Sequence, residues 1–246
     1  MSNENTDQIK MPDMSDMTPE QLQEMKRMGD AMQQQMKAEQ MKKVKNFDQL
    51  NQIATPGGIL FTGSSLMEQF PVCEMCMDAG ITAPVYNRGV GGFTTTDFLE
   101  NIGVQLLDLK PSKVFINIGT NDMNPQFGED WMEKLLTNYR SILTQCKEQL
   151  PETEVYMMAY YPVNAHLPGQ PFYMSFMFAV RSNENLALVN QEMEKMAAEF
   201  GYHFINVNDG LTDENGDLKE DYTIEGIHMY TDAYKQVFAN LKPYIA

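Results

Sequence analysis

The sequence predicts an α/β fold: a three-layer α/β/α sandwich around a five-stranded parallel sheet, with an extra helix at the N-terminus. Three observations predict it. From about residue 47 onward, short apolar runs alternate with segments of helical periodicity, the order that feeds parallel strands through covering helices. The first three apolar runs each end in a glycine-containing turn. The chain has 246 residues, 43% of them hydrophobic, which is enough for a proper core. It holds no apolar run of the roughly 18–20 residues that a membrane span requires.

Residues 1–46 differ in composition from the rest. They hold nine of the 21 methionines, and seven basic residues nearly cancel eight acidic ones. Thr18-Pro19-Glu20-Gln21 reads as a helix start, with Thr as N-cap, Pro in the first turn and Gln three residues on. Leu22, Met25, Met28, Met32 and Met36 then recur at helical spacing. A helix near residues 18–45 is expected to bury that stripe against the rest of the chain, or against a second subunit in a homo-oligomer. Residues 47–246 form the second unit, with no internal repeat.

Within that unit, strands are expected at Gly58–Thr62, Val85–Asn87, Lys113–Ile118, Val155–Tyr160 and His203–Val207. Helical segments fall at about 66–78, 95–109, 129–149, 179–199 and 231–241. Segment 160–181 is left as a long, aromatic-rich connection.

The formal charge is −16. Such an acid excess argues against nucleic acid and anionic membrane surfaces, which need clustered cations. Met1–Lys10 is polar and lacks the apolar stretch of a secretory leader, so a cytoplasmic location is expected. Three cysteines cannot all pair. Cys73 and Cys76 form a C-x-x-C spacing, but no second pair completes a zinc site, and no metal is expected.

The chemistry gathers at strand ends, where open parallel sheets place their sites. The first strand offers Ser64 and Ser65 at a tight turn; the second, a loop of bare glycines; the third, Asn121 before Asp122. The last loop carries Glu225-Gly226-Ile227-His228. A nucleophile, backbone and amide donors, and an acid–base pair are the parts acyl transfer needs. Of the three histidines, His203 falls within a strand, and His166 lies in a proline-rich loop without a neighbouring acid. His228 has a carboxylate three residues before it, placed to orient the ring. Asp221, seven residues before His228, is the nearest competing acid.

These segments together resemble the sequence blocks of the SGNH, or GDSL-like, hydrolase superfamily. Gly63-Ser64-Ser65-Leu66 resembles Gly-Asp-Ser-Leu, with Ser64 in the Asp position. Asn87-Arg88-Gly89-Val90-Gly91-Gly92-Phe93-Thr94-Thr95 resembles the second block, with Phe93 replacing a frequent Asp. Gly119-Thr120-Asn121-Asp122 matches Gly-x-Asn-Asp, and Glu225-Gly226-Ile227-His228 resembles Asp-Gly-x-His with Glu for Asp. The resemblance covers roughly residues 47–246. It implies the sheet order 2-1-3-4-5 seen in flavodoxin-like folds and a serine esterase that needs no cofactor. It also implies a nucleophile at Ser65, a base at His228 and an orienting acid at Glu225. The oxyanion would sit on the Ser65 and Gly92 amides and the Asn121 side chain. Ser64 is expected to bond the turn as the usual Asp would.

Other readings fall away. There is no Gly-x-Ser-x-Gly elbow and no Walker A motif. The Gly89-Val90-Gly91 run has Thr94 where a dinucleotide loop needs its last glycine. Residues 213–217 look like a calcium loop, but that register puts Leu211 and Tyr222 at ligand positions. The competing reading is a non-catalytic carbohydrate- or ester-binding protein on the same scaffold. For the substrate, the expectation is a small-molecule ester, with a short acyl group such as acetyl on a small or carbohydrate alcohol. Tyr161, Phe172 and Arg181 are candidate substrate-binding residues in or beside the aromatic segment.

Overall fold

A computed structural model describes residues 18–170 and 172–245, excluding the side chains of residues 172 and 173. Helix α1 (Pro19–Asn51) opens with a capping box: Thr18 accepts from the Gln21 amide while the Gln21 side chain accepts from the Thr18 amide. Strands β1 (Ile59–Gly63), β2 (Val85–Asn87), β3 (Lys113–Asn117), β4 (Glu154–Met158) and β5 (His203–Ile205) form one sheet. Their order is β2-β1-β3-β4-β5, and every pair is parallel, as the sequence led us to expect. The expected ends at Ile118, Tyr160 and Val207 lie beyond the ladders, where the chain leaves the sheet for the loops.

Two cores lie on the two faces, because successive side chains in a strand alternate. On one face Leu60, Val114, Ile116, Val155 and Met157 pack with α4 (Thr95–Glu100), α5 (Ile102–Gln105), α6 (Trp131–Gln149) and α8 (Asn183–Phe200). On the other, Ile59, Phe61, Phe115, Tyr156 and Met158 pack with α2 (Ser65–Glu68), α3 (Val72–Asp78) and α9 (Thr231–Ile245). The second face carries a row of stacked rings set by strand register. Phe61 and Phe115 are 4.7 Å apart, Phe115 and Tyr156 4.8 Å, and Tyr156 and His203 4.6 Å. Each pair is also a register pair in its ladder.

Several elements differ from the sequence expectation. The helix expected over 66–78 is two pieces, because Pro71 has no N–H to continue the first. The helix expected over 95–109 breaks at Asn101 and again at Leu106, and ends in a tight turn at Leu107–Leu109. Segment 160–181 contains a further helix, α7 (Phe172–Phe178). Helix α1 runs through residue 46 to Asn51, so the compositional boundary falls inside one helix. Its methionine stripe is not buried by the rest of the chain: Met28, Met32 and Met36 are 66%, 77% and 53% exposed. Only Gln40 and Val44 of α1 are buried, so docking is confined to the C-terminal half. Among the described residues no helix is long and apolar enough to cross a membrane.

Phe115 is fully buried at the centre of the ring row. Replacing it with Ala should cost about 3–5 kcal/mol, read as a lowered denaturant midpoint with an unchanged slope.

Candidate active site

Strand β1 ends at Gly63, where the chain runs so close to β3 that a Cβ would stand 1.9 Å from the Asn117 carbonyl oxygen. Ser64 follows, fully buried, and its hydroxyl has no hydrogen-bond partner. Among the described residues it bonds no group of the turn, which corrects the expectation that it does. Ser65 is the first residue of α2, so its amide has no acceptor one turn back. Tyr234 of α9 donates to the Leu66 carbonyl at 2.8 Å and pins this helix from the far side.

The last loop meets Ser65 from α9. His228 Nε2 lies 2.9 Å from Ser65 Oγ, and His228 Nδ1 lies 2.5 Å from Glu225 Oε1. The same carboxylate oxygen accepts the His228 backbone N–H at 3.1 Å. The extra methylene of Glu is therefore absorbed by curling back over the His228 amide. Gly226, at φ 100, makes the bend between them, and a Cβ there would stand 2.3 Å from the Asn164 carbonyl oxygen. A carboxylate only accepts, so the His228 proton sits on Nδ1 and leaves Nε2 to accept from Ser65. Burial alone would raise the Glu225 carboxyl. The His228 ring and amide, with the Arg181 charge, outweigh that and hold it below the ordinary range. Asp221, the competing acid, is exposed, and its only described role is in the turn at Glu220–Tyr222.

The glycine loop after β2 borders Ser65: a Cβ on Gly91 would lie 3.6 Å from the Ser65 Cβ. Gly91 donates to Glu68 Oε2 at 2.5 Å, and the Gln40 side chain of α1 donates to the Gly91 carbonyl at 2.8 Å. Among the described residues no acceptor engages the Ser65 or Gly92 amide. Asn121 Nδ2 donates to the Phe93 carbonyl at 2.9 Å, while its Oδ1 accepts from Arg181 at 3.1 Å. An arginine can only donate, so this contact fixes the amide orientation of Asn121 and leaves one of its two N–H bonds unused.

Arg181 is 3% exposed, so it is neither a surface helix start nor open to a substrate carboxylate. Burial pushes its guanidinium down to about 10, against the pull of Asp122 and Glu225. Tyr161 is also misplaced by the sequence reading. It is 2% exposed and, three residues past the end of β4, packs in the core with Ala233, Tyr234 and Val237 of α9. Phe172 belongs to α7 by its backbone, but its side chain lies outside the described residues. His166, expected to lack an acid, has one 51 residues away: its Nδ1 is 2.8 Å from Asp217 Oδ2. Among the described residues no group of three or more His, Cys, Asp and Glu side chains could hold a metal ion.

A cleft of about 650 Å³ opens beside the glycine loop. Its lining includes Asp30, Gln33, Gln34 and Lys37 of helix α1 together with Gly92, Asp122, Phe127 and Trp131. Asp122 accepts from the Thr95 amide at 2.9 Å and the Thr95 hydroxyl at 2.5 Å. Burial still raises its carboxyl to about 6, although those bonds oppose the shift.

Residues 73–236 match the sequence profile of the GDSL-like lipase/acylhydrolase family. The chain belongs to that family, and is a hydrolase of its α/β type. No curated protein sequence matches it. A Streptococcus pneumonia structure, provisionally named a platelet activating factor, is 30% identical with a TM-score of 0.78, over 88% of this chain and 97% of its own. A GDSL-like lipase from Bacteroides thetaiotaomicron is 23% identical with a TM-score of 0.66, over 82% and 96%. An acetylxylan esterase from Geobacillus stearothermophilus is 13% identical with a TM-score of 0.60, over 78% and 95%. The family match takes in Gly92, Asn121, Glu225 and His228 but begins after Ser65. The contact between Ser65 and His228 is therefore read from the geometry and not from that match.

The raised Asp122 carboxyl has a consequence for stability. A carboxyl with a folded value above its unfolded one favours the folded state at low pH, and that contribution is lost as pH rises through the folded value. Wild type should therefore lose up to about 3 kcal/mol relative to Asp122→Asn between about pH 4 and about pH 6. Paired denaturant titrations across that range check it.

Proposed function

We propose that the protein is a serine ester hydrolase acting through Ser65, His228 and Glu225. The observation that carries this reading is the unbroken contact chain from Ser65 Oγ through both ring nitrogens of His228 to Glu225. Ser65 Oγ attacks the ester carbonyl while His228 Nε2 takes its proton. The tetrahedral oxyanion is met by the Ser65 and Gly92 amides and the unused N–H of Asn121. The new His228 imidazolium is stabilised by Glu225 and gives its proton to the departing alkoxide. Water then attacks the acyl-enzyme, His228 takes a proton from it, and the carboxylic acid leaves with Ser65 restored.

For the substrate, we favour a short acyl group such as acetyl on a small or carbohydrate alcohol. The cleft supports this: it meets the site at Gly92, and its lining combines the polar side chains of Asp30, Gln33 and Gln34 with Phe127 and Trp131. That mixture suits a polyhydroxylated alcohol better than a lipid tail.

The purified protein should hydrolyse p-nitrophenyl acetate without added metal, with turnover falling as the acyl chain lengthens. Ser65→Ala should abolish turnover and labelling by a fluorophosphonate, while Ser64→Ala should retain most of both. No labelling of wild type would leave a binding protein on this scaffold. Glu225→Gln should cut kcat severely, toward the loss of about 10⁴ seen when a triad acid becomes an amide. Asp221→Asn should change kcat little, and full activity in Glu225→Gln would remove Glu225 from the mechanism.

A further inference from the structure

We propose that Gln40 of helix α1 is a positioning residue for the oxyanion hole, so that the N-terminal helix is part of the active site. The inference rests on the reading of Ser65 as nucleophile. It begins with an oddity of burial. Over its 33 residues α1 buries two side chains, and one is a glutamine. Gln40 is 5% exposed, and its Nε2 donates to the Gly91 carbonyl at 2.8 Å. A buried amide is costly unless bonded, so its partner explains its place.

That partner is half of a peptide unit whose other half is the Gly92 N–H. In a trans peptide the C=O and N–H lie in the peptide plane and point in opposite directions. Holding the carbonyl on α1 therefore turns the Gly92 N–H away from α1, and among the described residues nothing else engages that amide. Gly91 itself adjoins Ser65, so the plane so fixed stands at the nucleophile.

The preceding peptide, Val90–Gly91, is held as well: Gly91 N–H donates to Glu68, and Glu68 is paired in turn with Lys43, one turn along α1 from Gln40. Gly92 sits at φ 78, and a Cβ there would stand 2.7 Å from Gln40 Nε2. The positive φ favours glycine here, and the Gln40 side chain packs where a Cβ would stand. A glycine-rich loop is otherwise free to flip its peptides, and a flipped Gly91–Gly92 unit would present a carbonyl, not a donor, to a developing negative charge.

The test compares wild type, Ser65→Ala, Gln40→Met and Gln40→Glu on p-nitrophenyl acetate, with phenylboronic acid as a tetrahedral mimic. Gln40→Met keeps length and volume but removes the donor. It should lower kcat about 10-fold, short of the 100- to 1000-fold typical of losing a donor outright. KM and the melting temperature should stay near wild type, since the donor acts on the transition state. Its inhibition constant for phenylboronic acid should rise by the same factor. Gln40→Glu sets a carboxylate against the Gly91 carbonyl and should lower kcat further. Unchanged kcat and boronate affinity in both variants would overturn the proposal while leaving Ser65 as nucleophile. A loss of kcat in Gln40→Met that comes with a lowered melting temperature and an unchanged boronate affinity would overturn it too, as a packing effect. Wild-type turnover that survives Ser65→Ala would overturn both readings together.

Discussion

The loop Asn87–Gly92 belongs to no helix and, past Asn87, to no ladder, and the site depends on what fixes it. Buried backbone must find partners somewhere, and here they come from three directions. Asn87 donates to the Met67 and Phe70 carbonyls and accepts from Gly89 N–H, which ties the loop to the helix that begins at Ser65. Gln105 donates to the carbonyls of Arg88 and Gly63, which joins the ends of β1 and β2. Arg88 donates to Asn51 of α1 and lies over the rings of Phe47 and Tyr86. The loop is thus a junction between the sheet, the helix that begins at Ser65 and the N-terminal helix.

Charge is arranged around that junction in an uneven way. The chain carries −16 overall, and nearly all of the excess lies after residue 46. Yet Arg181 is buried where Asn121, Asp122 and Glu225 converge. Among the described residues its Nε has no partner, an uncommon cost for a buried guanidinium. The return is positional: one contact decides which way the Asn121 amide faces, and the buried positive charge sits among the charges of Asp122 and Glu225.

Much of the architecture was legible in the sequence because it rests on periodicity. Alternating apolar runs and helical segments gave the strand and helix order, and Leu60 against Phe61 shows the alternation at work on two faces. The breaks at Pro71 and Asn101 were harder to read, since apolar periodicity continues across both while the backbone does not. At the site, local spacing sufficed for Glu225 and His228, which are three residues apart and meet within one turn of chain. It did not suffice for Gln40, Glu68, Arg181 or the His166–Asp217 pair. Their partners are distant in sequence, and no period or motif marks them. Tyr161 was misread because aromatic composition does not say which way a side chain turns at the end of a strand. The methionine stripe is not covered within the chain because the helix docks at one end through Gln40 and Val44 and leaves that spacing exposed.

The chain has one tryptophan, and it stands in the wall of the cleft that α1 also lines. Indole emission responds to the polarity around the ring, so every photon of tryptophan fluorescence from this protein originates beside Gly92. A ligand entering the cleft, or α1 lifting from its seat, changes the surroundings of Trp131 directly, whereas an event at the opposite edge of the sheet does not. The molecule therefore carries a built-in optical reporter for the occupancy of one particular space, without a label and without a second indole to confuse the signal.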